Sequence, residues 1–154
     1  MTETATGSTA FTDRPSPEHR RPPGVDDATV AAGGKLSEAL ETIERARGHL
    51  YELHQLIGGA DLRLDEAASQ FRAAGHPEIA EGIERELIGR NVLPGRWTFQ
   101  IVEEFDDGYY TRFREFERDV RDKLFDGKRH LFEAELKEAR RTPGRKGHSA
   151  VPPE

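Results

Sequence analysis

Two histidines are each followed by a glutamate three residues later, a spacing that could place metal ligands together. His49 and Glu52 form one pair, and His130 and Glu133 form the other. Residues three apart share a helix face, so each pair could offer an imidazole nitrogen and a carboxylate oxygen to one divalent cation. Further carboxylates occur midway along the chain, at Glu103, Glu104, Asp106 and Asp107. The candidate metal ligands are therefore His49, Glu52, Glu103, His130 and Glu133.

A second interpretation of these side chains is that they are solvated or cap helices beside an apolar core. Helical bundles that bind two metal ions carry a Glu-x-x-His motif, in which glutamate comes three residues before histidine. In this sequence histidine comes first in both pairs. The chain has no H-E-x-x-H and no H-x-x-x-H, no serine in a G-x-S-x-G setting, and no glycine-rich phosphate-binding motif. We therefore predict no catalytic residue and no cofactor other than a divalent metal.

The single tryptophan, Trp97, follows Arg96 in a loop that contains Pro94 and Gly95. Tryptophan and arginine are enriched among the residues that dominate protein interfaces. We take Arg96 and Trp97 as candidate partner-binding residues. The alternative is that Trp97 covers one end of the core.

A basic patch precedes the C-terminus, at Lys137, Arg140, Arg141, Arg145 and Lys146. It could attract RNA, an acidic partner or the acidic helix faces of the same protein. The simpler interpretation is that these cations are stabilised at the negative end of a helix dipole.

The composition excludes several classes of function. A net charge of −6 disfavours general binding to nucleic acid, and the absence of cysteine excludes disulfides, thiolate catalysis and Cys-ligated zinc. The first residues have neither a basic segment nor an apolar stretch, so they do not predict a secretory signal. No apolar run is long enough to span a membrane. We expect a cytoplasmic protein.

Apolar residues at helical intervals define the first half of the folded region. From Lys35 to Ile57 they recur every three or four positions, which predicts an amphipathic helix. Gly58-Gly59 is expected to stop this helix, because glycine costs about 1 kcal/mol relative to alanine inside a helix. Asp61 would then cap a second helix that ends at Gly75.

Three further helices are predicted in the second half. Pro77 begins a short one, and Thr98 caps a long one in which Phe105, Tyr109 and Phe116 belong to the apolar stripe. For residues 98–113 the competing prediction is a β-hairpin that turns at Asp107-Gly108. Asp126-Gly127 would break the long helix before a last one, over 130–141.

These elements predict an all-α fold, an antiparallel helical bundle of two long helices and a shorter pair. The Pro- and Gly-rich ends cannot bury enough apolar surface to offset their ordering entropy. The expected organisation is a disordered tail over 1–33, a bundle over 34–141 and a second disordered tail over 142–154.

Two segments carry a resemblance to other proteins: RARGHLYELHQLIGGADL and GRNVLPGRWTFQIVEEFDDGYY, at 45–62 and 89–110. They resemble short uncharacterised actinobacterial proteins of about this length. That resemblance implies no activity and no binding residues. The leading hypothesis is an interaction or scaffold module that binds a protein partner or itself. The alternatives are a metal-dependent bundle enzyme or metal-binding protein, and a bundle that binds a small molecule.

Overall fold

The computed structural model describes residues 13–152 of the chain. It divides them into a terminal unit, residues 13–37 and 118–152, and a central unit, residues 38–117. The helices are Asp27–Ala73 (α1), Pro77–Glu86 (α2), Thr98–Phe105 (α3), Thr111–Phe125 (α4) and Leu131–Arg140 (α5). A π-helical turn, Asp106–Tyr110, joins α3 to α4.

The predicted all-α class and helical bundle are confirmed for the described residues. The β-pairing within residues 13–152 is a single isolated bridge between Leu93 and Arg96. The β-hairpin considered for residues 98–113 is replaced by helix, because its apolar residues continue at helical spacing beyond Gly108. No helix of the described part is long and apolar enough to cross a membrane.

The predicted stop at Gly58-Gly59 is wrong, because α1 continues through both glycines for 47 residues. Asp61 does not cap a new helix; its Oδ1 accepts a hydrogen bond from the backbone N–H of Gly89, 2.8 Å away. The chain reverses instead at Gly75, where φ is +85°, and Pro77 opens α2 as predicted. The start of α1 at Asp27 also lies earlier than the predicted start near Lys35.

The long helix predicted from Thr98 is present, but its apolar stripe shifts by one residue after the π-helical turn. Such a turn accommodates one extra residue, so the positions that follow are rotated around the axis. Tyr110 is buried where Tyr109 was expected, and Tyr109 and Phe116 are exposed. The helix begins at Thr98, with Trp97 as its N-cap instead of Thr98.

The central unit is held by contacts that run antiparallel between α1 and the α3–α4 segment. Glu44 contacts Tyr110, Arg47 contacts Asp106, and His54 contacts Thr98. The partner number falls as the α1 number rises, which is the pattern of two antiparallel helices. The buried residues of this unit include Ala68, Ala80, Thr98, Val102 and Tyr110.

The terminal unit has a small aromatic and aliphatic core of Val30, Phe125 and Leu131, against which Val25 packs. Gly33 allows the Phe125 ring to approach α1, since a Cβ at residue 33 would lie 2.6 Å from the ring carbons. The α4–α5 connection uses left-handed backbone at Asp126, where φ is 53°, and at Gly127, where φ is 71°.

Parts of both predicted tails make defined contacts. Asp13 accepts hydrogen bonds from Arg141 and from the backbone N–H of Ala150, at 2.6 and 2.9 Å. Arg21 makes a bidentate pair with Glu135, with both distances 2.8 Å. Charge-assisted hydrogen bonds therefore fix the ends where apolar burial is small. The predicted disorder of residues 1–12 and 153–154 lies outside the described residues.

Candidate functional site

A cluster of interacting polar groups in the central unit surrounds the π-helical turn. The guanidinium of Arg47 donates to both carboxylate oxygens of Asp106, at 2.7 and 2.9 Å. Its Nη2 also donates to the Tyr51 hydroxyl at 3.3 Å. The Arg47 Cζ lies 5.0 Å from the centre of the Tyr51 ring and 4.8 Å from that of Tyr110. The cation is thus paired with one carboxylate and two aromatic faces.

Tyr110 is the buried member of this cluster. Its hydroxyl donates to the Glu44 carboxylate, with the two oxygens 2.7 and 2.8 Å away. A second guanidinium, that of Arg114, lies 5.4 Å from the ring centre. The phenol therefore connects the π-helical turn to α1 through a hydrogen bond to a carboxyl group.

The cluster shifts two pKa values in opposite directions. The hydrogen bonds from Arg47 lower the pKa of Asp106 below its ordinary value, because they stabilise the carboxylate. The hydrogen bond to Glu44 raises the pKa of Tyr110, and burial adds to it, because both disfavour a phenolate. At neutral pH the pairs consist of a carboxylate with a guanidinium and a phenol with a carboxylate.

These groups satisfy one another, and this determines what the cluster can do. The Tyr110 proton is held by Glu44, and Asp106 is engaged at both oxygens. Neither group is arranged as an activated nucleophile or as a base poised near neutral pH. The geometry is that of a structural contact, in which the Arg47–Asp106 ion pair and the Tyr110–Glu44 hydrogen bond join α1 to the π-helical turn.

The sequence did not single out Arg47, Glu44 or Tyr110 as a group. Phe105 is followed by two tyrosines, at 109 and 110, so an apolar stripe could pass through either one. Only the π-helical turn selects Tyr110. The available signal was a glycine and two aspartates inside a helical period, a composition that favours an irregular turn.

The first candidate metal pair lies on the central part of α1. His49 Nδ1 is 3.6 Å from Glu52 Oε2, and both side chains are exposed. Glu103 is exposed on α3. Within residues 13–152, His49, Glu52 and Glu103 do not form a group of three whose ligand atoms all lie within 4.8 Å of one another.

The second candidate pair lies in the terminal unit, where α5 begins. His130 Nδ1 is 4.0 Å from Glu133 Oε2. His130 adopts a left-handed conformation with φ of 58° as the residue that precedes α5. Each predicted pair therefore has its two members adjacent, and metal binding by either stays a prediction.

Arg96 and Trp97 are engaged within the loop that precedes α3. The Trp97 indole donates to the Arg90 carbonyl at 3.0 Å, and its backbone N–H donates to Gln100 Oε1 at 2.8 Å. Arg96 forms an ion pair with Glu104. These contacts agree with a covering role for Trp97, and the partner-binding role stays a prediction.

Two members of the predicted basic patch bind within the terminal unit. The Arg141 side chain, 4% exposed, pairs with Asp13 and Glu138. Lys137 Nζ donates to the Ala150 carbonyl at 3.1 Å. The hypothesis that the patch contacts acidic groups of its own protein is thus supported at Arg141, whereas Lys137 contacts a backbone carbonyl.

An apolar stripe on α1 is a second candidate site, and we call it the α1 stripe. Its exposed members recur at intervals of three, four or seven residues, so they form one strip of surface. They are Ala39, Ala46, Leu53, Leu56 and Ala60. Leu53 is 43% exposed and Leu56 is 65% exposed. Apolar side chains contiguous on a surface mark an interaction site more reliably than the same residues scattered singly.

Comparison of the chain with protein-family models, with curated proteins and with solved structures gave no match.

Proposed function

We propose that the protein is a non-catalytic protein-interaction or scaffold module that uses the α1 stripe. The observation that carries the proposal is the exposure of Leu53 and Leu56 between exposed alanines. Burying a leucine side chain is worth roughly 1.5–3 kcal/mol, so a partner that covers this strip gains affinity from each one. The proposal includes a cytoplasmic location.

The faces of α1 support this proposal. Its intramolecular face is marked by residues seven apart, Arg47, His54 and Asp61, which bond to Asp106, Thr98 and Gly89. The residue before each of these belongs to the α1 stripe, and neighbouring residues in a helix point about 100° apart. The stripe therefore flanks the face that α3 and α4 occupy and extends the apolar arc beyond it.

The Arg47 cluster also supports an interaction role. A binding helix must keep its shape in the absence of the partner, because ordering it on binding would reduce affinity. The contacts of Arg47 with Asp106 and of Tyr110 with Glu44 fix the central part of α1. They hold the stripe as a preformed surface.

A photo-crosslinking amino acid tests the proposal in cells. We expect a probe at Leu53 to give a protein adduct, because that position faces a partner. A probe at the neighbouring Glu52, which is exposed and about 100° away, is the matched control. Equal yields from the two positions, or no adduct from Leu53, would contradict the proposal.

The alternative is a metal-binding protein, and the adjacency of His49 and Glu52 is the observation that favours it. Elemental analysis of natively purified protein tests this alternative. It predicts near-stoichiometric metal that falls in the His49→Ala variant and is kept in the His76→Ala variant. Metal below roughly a tenth of an equivalent per chain would remove the alternative.

A further inference from the structure

We infer that one end of the terminal unit binds an acidic segment of a partner protein. The binding surface consists of exposed cations around the C-terminal end of α5, and we call it the α5-end surface. Its members are Arg14, Lys137, Arg140, Arg145 and Lys146. This inference adds a second surface to the proposed function and does not depend on the α1 stripe.

The charged residues of the chain are divided unevenly between the two units. Within the described residues, the terminal unit carries 14 lysines and arginines against 10 aspartates and glutamates. The central unit carries 9 against 17. With histidine neutral, the formal net charges are +4 and −8, so a negatively charged ligand is attracted to the terminal unit although the whole chain is acidic.

The C-terminal segment folds back beside the end of α5. The backbone N–H of Thr142 donates to His148 Nδ1 at 3.0 Å, and Lys137 Nζ donates to the Ala150 carbonyl at 3.1 Å. The turn over 143–147 therefore holds its two cations next to the last turn of α5.

Arg141 keeps the nearby carboxylates occupied. Its guanidinium donates to both oxygens of Glu138, at 2.6 and 2.7 Å, and to Asp13 Oδ2 at 2.6 Å. It also donates to the backbone carbonyls of Asp13 and His148, at 2.9 and 3.2 Å, so all five of its N–H groups are used. These contacts join the N-terminal segment, α5 and the C-terminal segment, and the surface they support is therefore formed before any partner binds.

The cations of the α5-end surface are not neutralised by direct contact inside the unit. Within residues 13–152, four of them make no side-chain ion pair or hydrogen bond: Arg14, Arg140, Arg145 and Lys146. The fifth, Lys137, donates to an uncharged carbonyl. The surface thus offers its positive charges to an external ligand.

The composition of the surface favours protein carboxylates as that ligand. Three of its five members are arginines, and a guanidinium can donate two parallel hydrogen bonds to one carboxylate or phosphate. No phenylalanine, tyrosine or tryptophan occurs over 133–152, so unpaired bases would find no ring on which to stack. The net charge of −6 opposes the approach of a long phosphate backbone. A short run of aspartates or glutamates fits both the charge and the small size of the surface.

Fluorescence anisotropy of a labelled octaglutamate peptide tests the inference with the full chain. The peptide should bind at low ionic strength and dissociate by about 0.5 M salt, because each exposed ion pair is weak and screened. Arg140→Gln combined with Arg145→Gln and Lys146→Gln should weaken binding by at least about tenfold. These side chains are exposed, so the circular dichroism of the triple variant should match that of the wild type.

Arg45→Gln combined with Arg63→Gln and Arg112→Gln is the matched control. It removes three exposed cations from the central unit and gives the chain the same net charge as the first triple variant. It should change the affinity by less than about threefold. Equal weakening by the two triple variants would show a general effect of charge and overturn the inference. So would a wild-type chain that does not bind octaglutamate at low ionic strength.

An eight-nucleotide thymidine oligonucleotide distinguishes carboxylates from phosphates as the ligand. It should bind more weakly than octaglutamate at the same salt concentration, because the surface provides no ring for its bases. Equal or tighter binding of the oligonucleotide would assign the surface to nucleic acid and overturn the inference.

Backbone amide NMR locates the bound peptide. Octaglutamate should shift the signals of residues 13–15 and 137–150 and leave those of the α1 stripe unchanged. Shifts concentrated in the central unit would overturn the inference. That failure would leave the proposed function standing, because the photo-crosslinking probe at Leu53 tests the α1 stripe separately.

Discussion

The terminal and central units use the same helix, α1, in different ways. In the terminal unit, Gly33 removes a side chain so that the Phe125 ring can pack close to the α1 backbone. In the central unit, polar side chains join α1 to the π-helical turn: Arg47 pairs with Asp106, and Glu44 accepts a hydrogen bond from Tyr110.

The difference shows how one helix can combine a small core with an exposed apolar face. In the terminal unit the Phe125 ring is buried against Gly33, so the stability of this unit depends on how closely the ring fits the α1 backbone. In the central unit a few hydrogen bonds that involve charged groups hold α1 in place, and neighbouring apolar positions such as Leu53 stay exposed. The central unit therefore keeps a surface that a partner can use.

Among the substitutions that test this comparison, Phe125→Ala should lower the free energy of unfolding most. Phe125 is 6% exposed and lies at the centre of the terminal core, so its loss should lower the free energy of unfolding by about 3–5 kcal/mol. Phe99→Ala, at an exposed position of α3, should cost less than about 1 kcal/mol. Chemical denaturation measures both. Similar losses would mean that the terminal core is not specially dependent on its ring.

A pair of glycine substitutions in α1 should come next. A Cβ at Gly33 would lie 2.6 Å from the Phe125 ring, so Gly33→Ala should destabilise by roughly 1–3 kcal/mol. Gly48→Ala meets nothing within 4 Å and should stabilise by up to about 1 kcal/mol through helix propensity. Thermal unfolding of the two variants should therefore shift in opposite directions. Shifts of the same sign would contradict the close packing at Gly33.

Removing the Tyr110 hydroxyl, which contacts α1, should have a smaller effect on stability. Tyr110→Phe loses the hydrogen bond to Glu44 and should cost about 1 kcal/mol. The adjacent Tyr109→Phe, at an exposed position, should change stability by less than about 0.5 kcal/mol. If denaturation gave the larger loss at Tyr109, the one-residue shift of the stripe would be wrong.

The smallest effect should be a change in the acid dependence of stability. Because folding lowers the Asp106 pKa, its contribution is present above the ordinary value near 3.9 and is lost as the pH falls below it. Asp106→Asn should flatten the decline between about pH 5 and 3, by under about 1 kcal/mol. Asp107→Asn, an exposed neighbour, is the control. An acid limb that is equally steep in Asp106→Asn and the wild type would contradict the role of Asp106.

The raised pKa of Tyr110 predicts a loss of stability at alkaline pH. Folding raises its pKa, so its contribution is complete below the ordinary value near 10 and declines as the pH rises through the folded value. Tyr110→Phe should remove this alkaline decline, measured by denaturation at a series of pH values. An unchanged alkaline limb in that variant would contradict the contact with Glu44.

Helical periodicity was sufficient to predict most of the fold. It placed the long helix from Thr98 correctly, and Gly75 with Pro77 marked the α1–α2 reversal because positive φ and a helix start each favour those residues. Local propensity failed at Gly58-Gly59, since the cost of two glycines is small beside the packing of a long amphipathic helix. The large residues at Ile57 and Leu64 keep the seven-residue spacing across these glycines and were the signal for continuity.

The polar cluster could not be predicted in the same way. Its residues, Glu44, Arg47, Asp106 and Tyr110, are more than fifty positions apart across the two helices, and only the antiparallel register joins them. The π-helical turn then decides which tyrosine faces Glu44. The two members of each metal-candidate pair lie near one another, His49 and Glu52 because residues three apart on a helix are neighbours, and His130 and Glu133 because His130 directly precedes α5. Metal binding by either pair stays a prediction.

The continuity of α1 through Gly58-Gly59 places Ala60 on the α1 stripe and Asp61 on the face that Arg47 and His54 share. Pulsed electron spin resonance between labels on Arg45→Cys and Ser69→Cys, diluted with unlabelled protein, measures it directly. Both positions are exposed, and 24 residues of unbroken helix separate them by about 36 Å. We predict a narrow distribution near that distance. A reversal at the glycines would bring the labels within about 20 Å and would contradict the account.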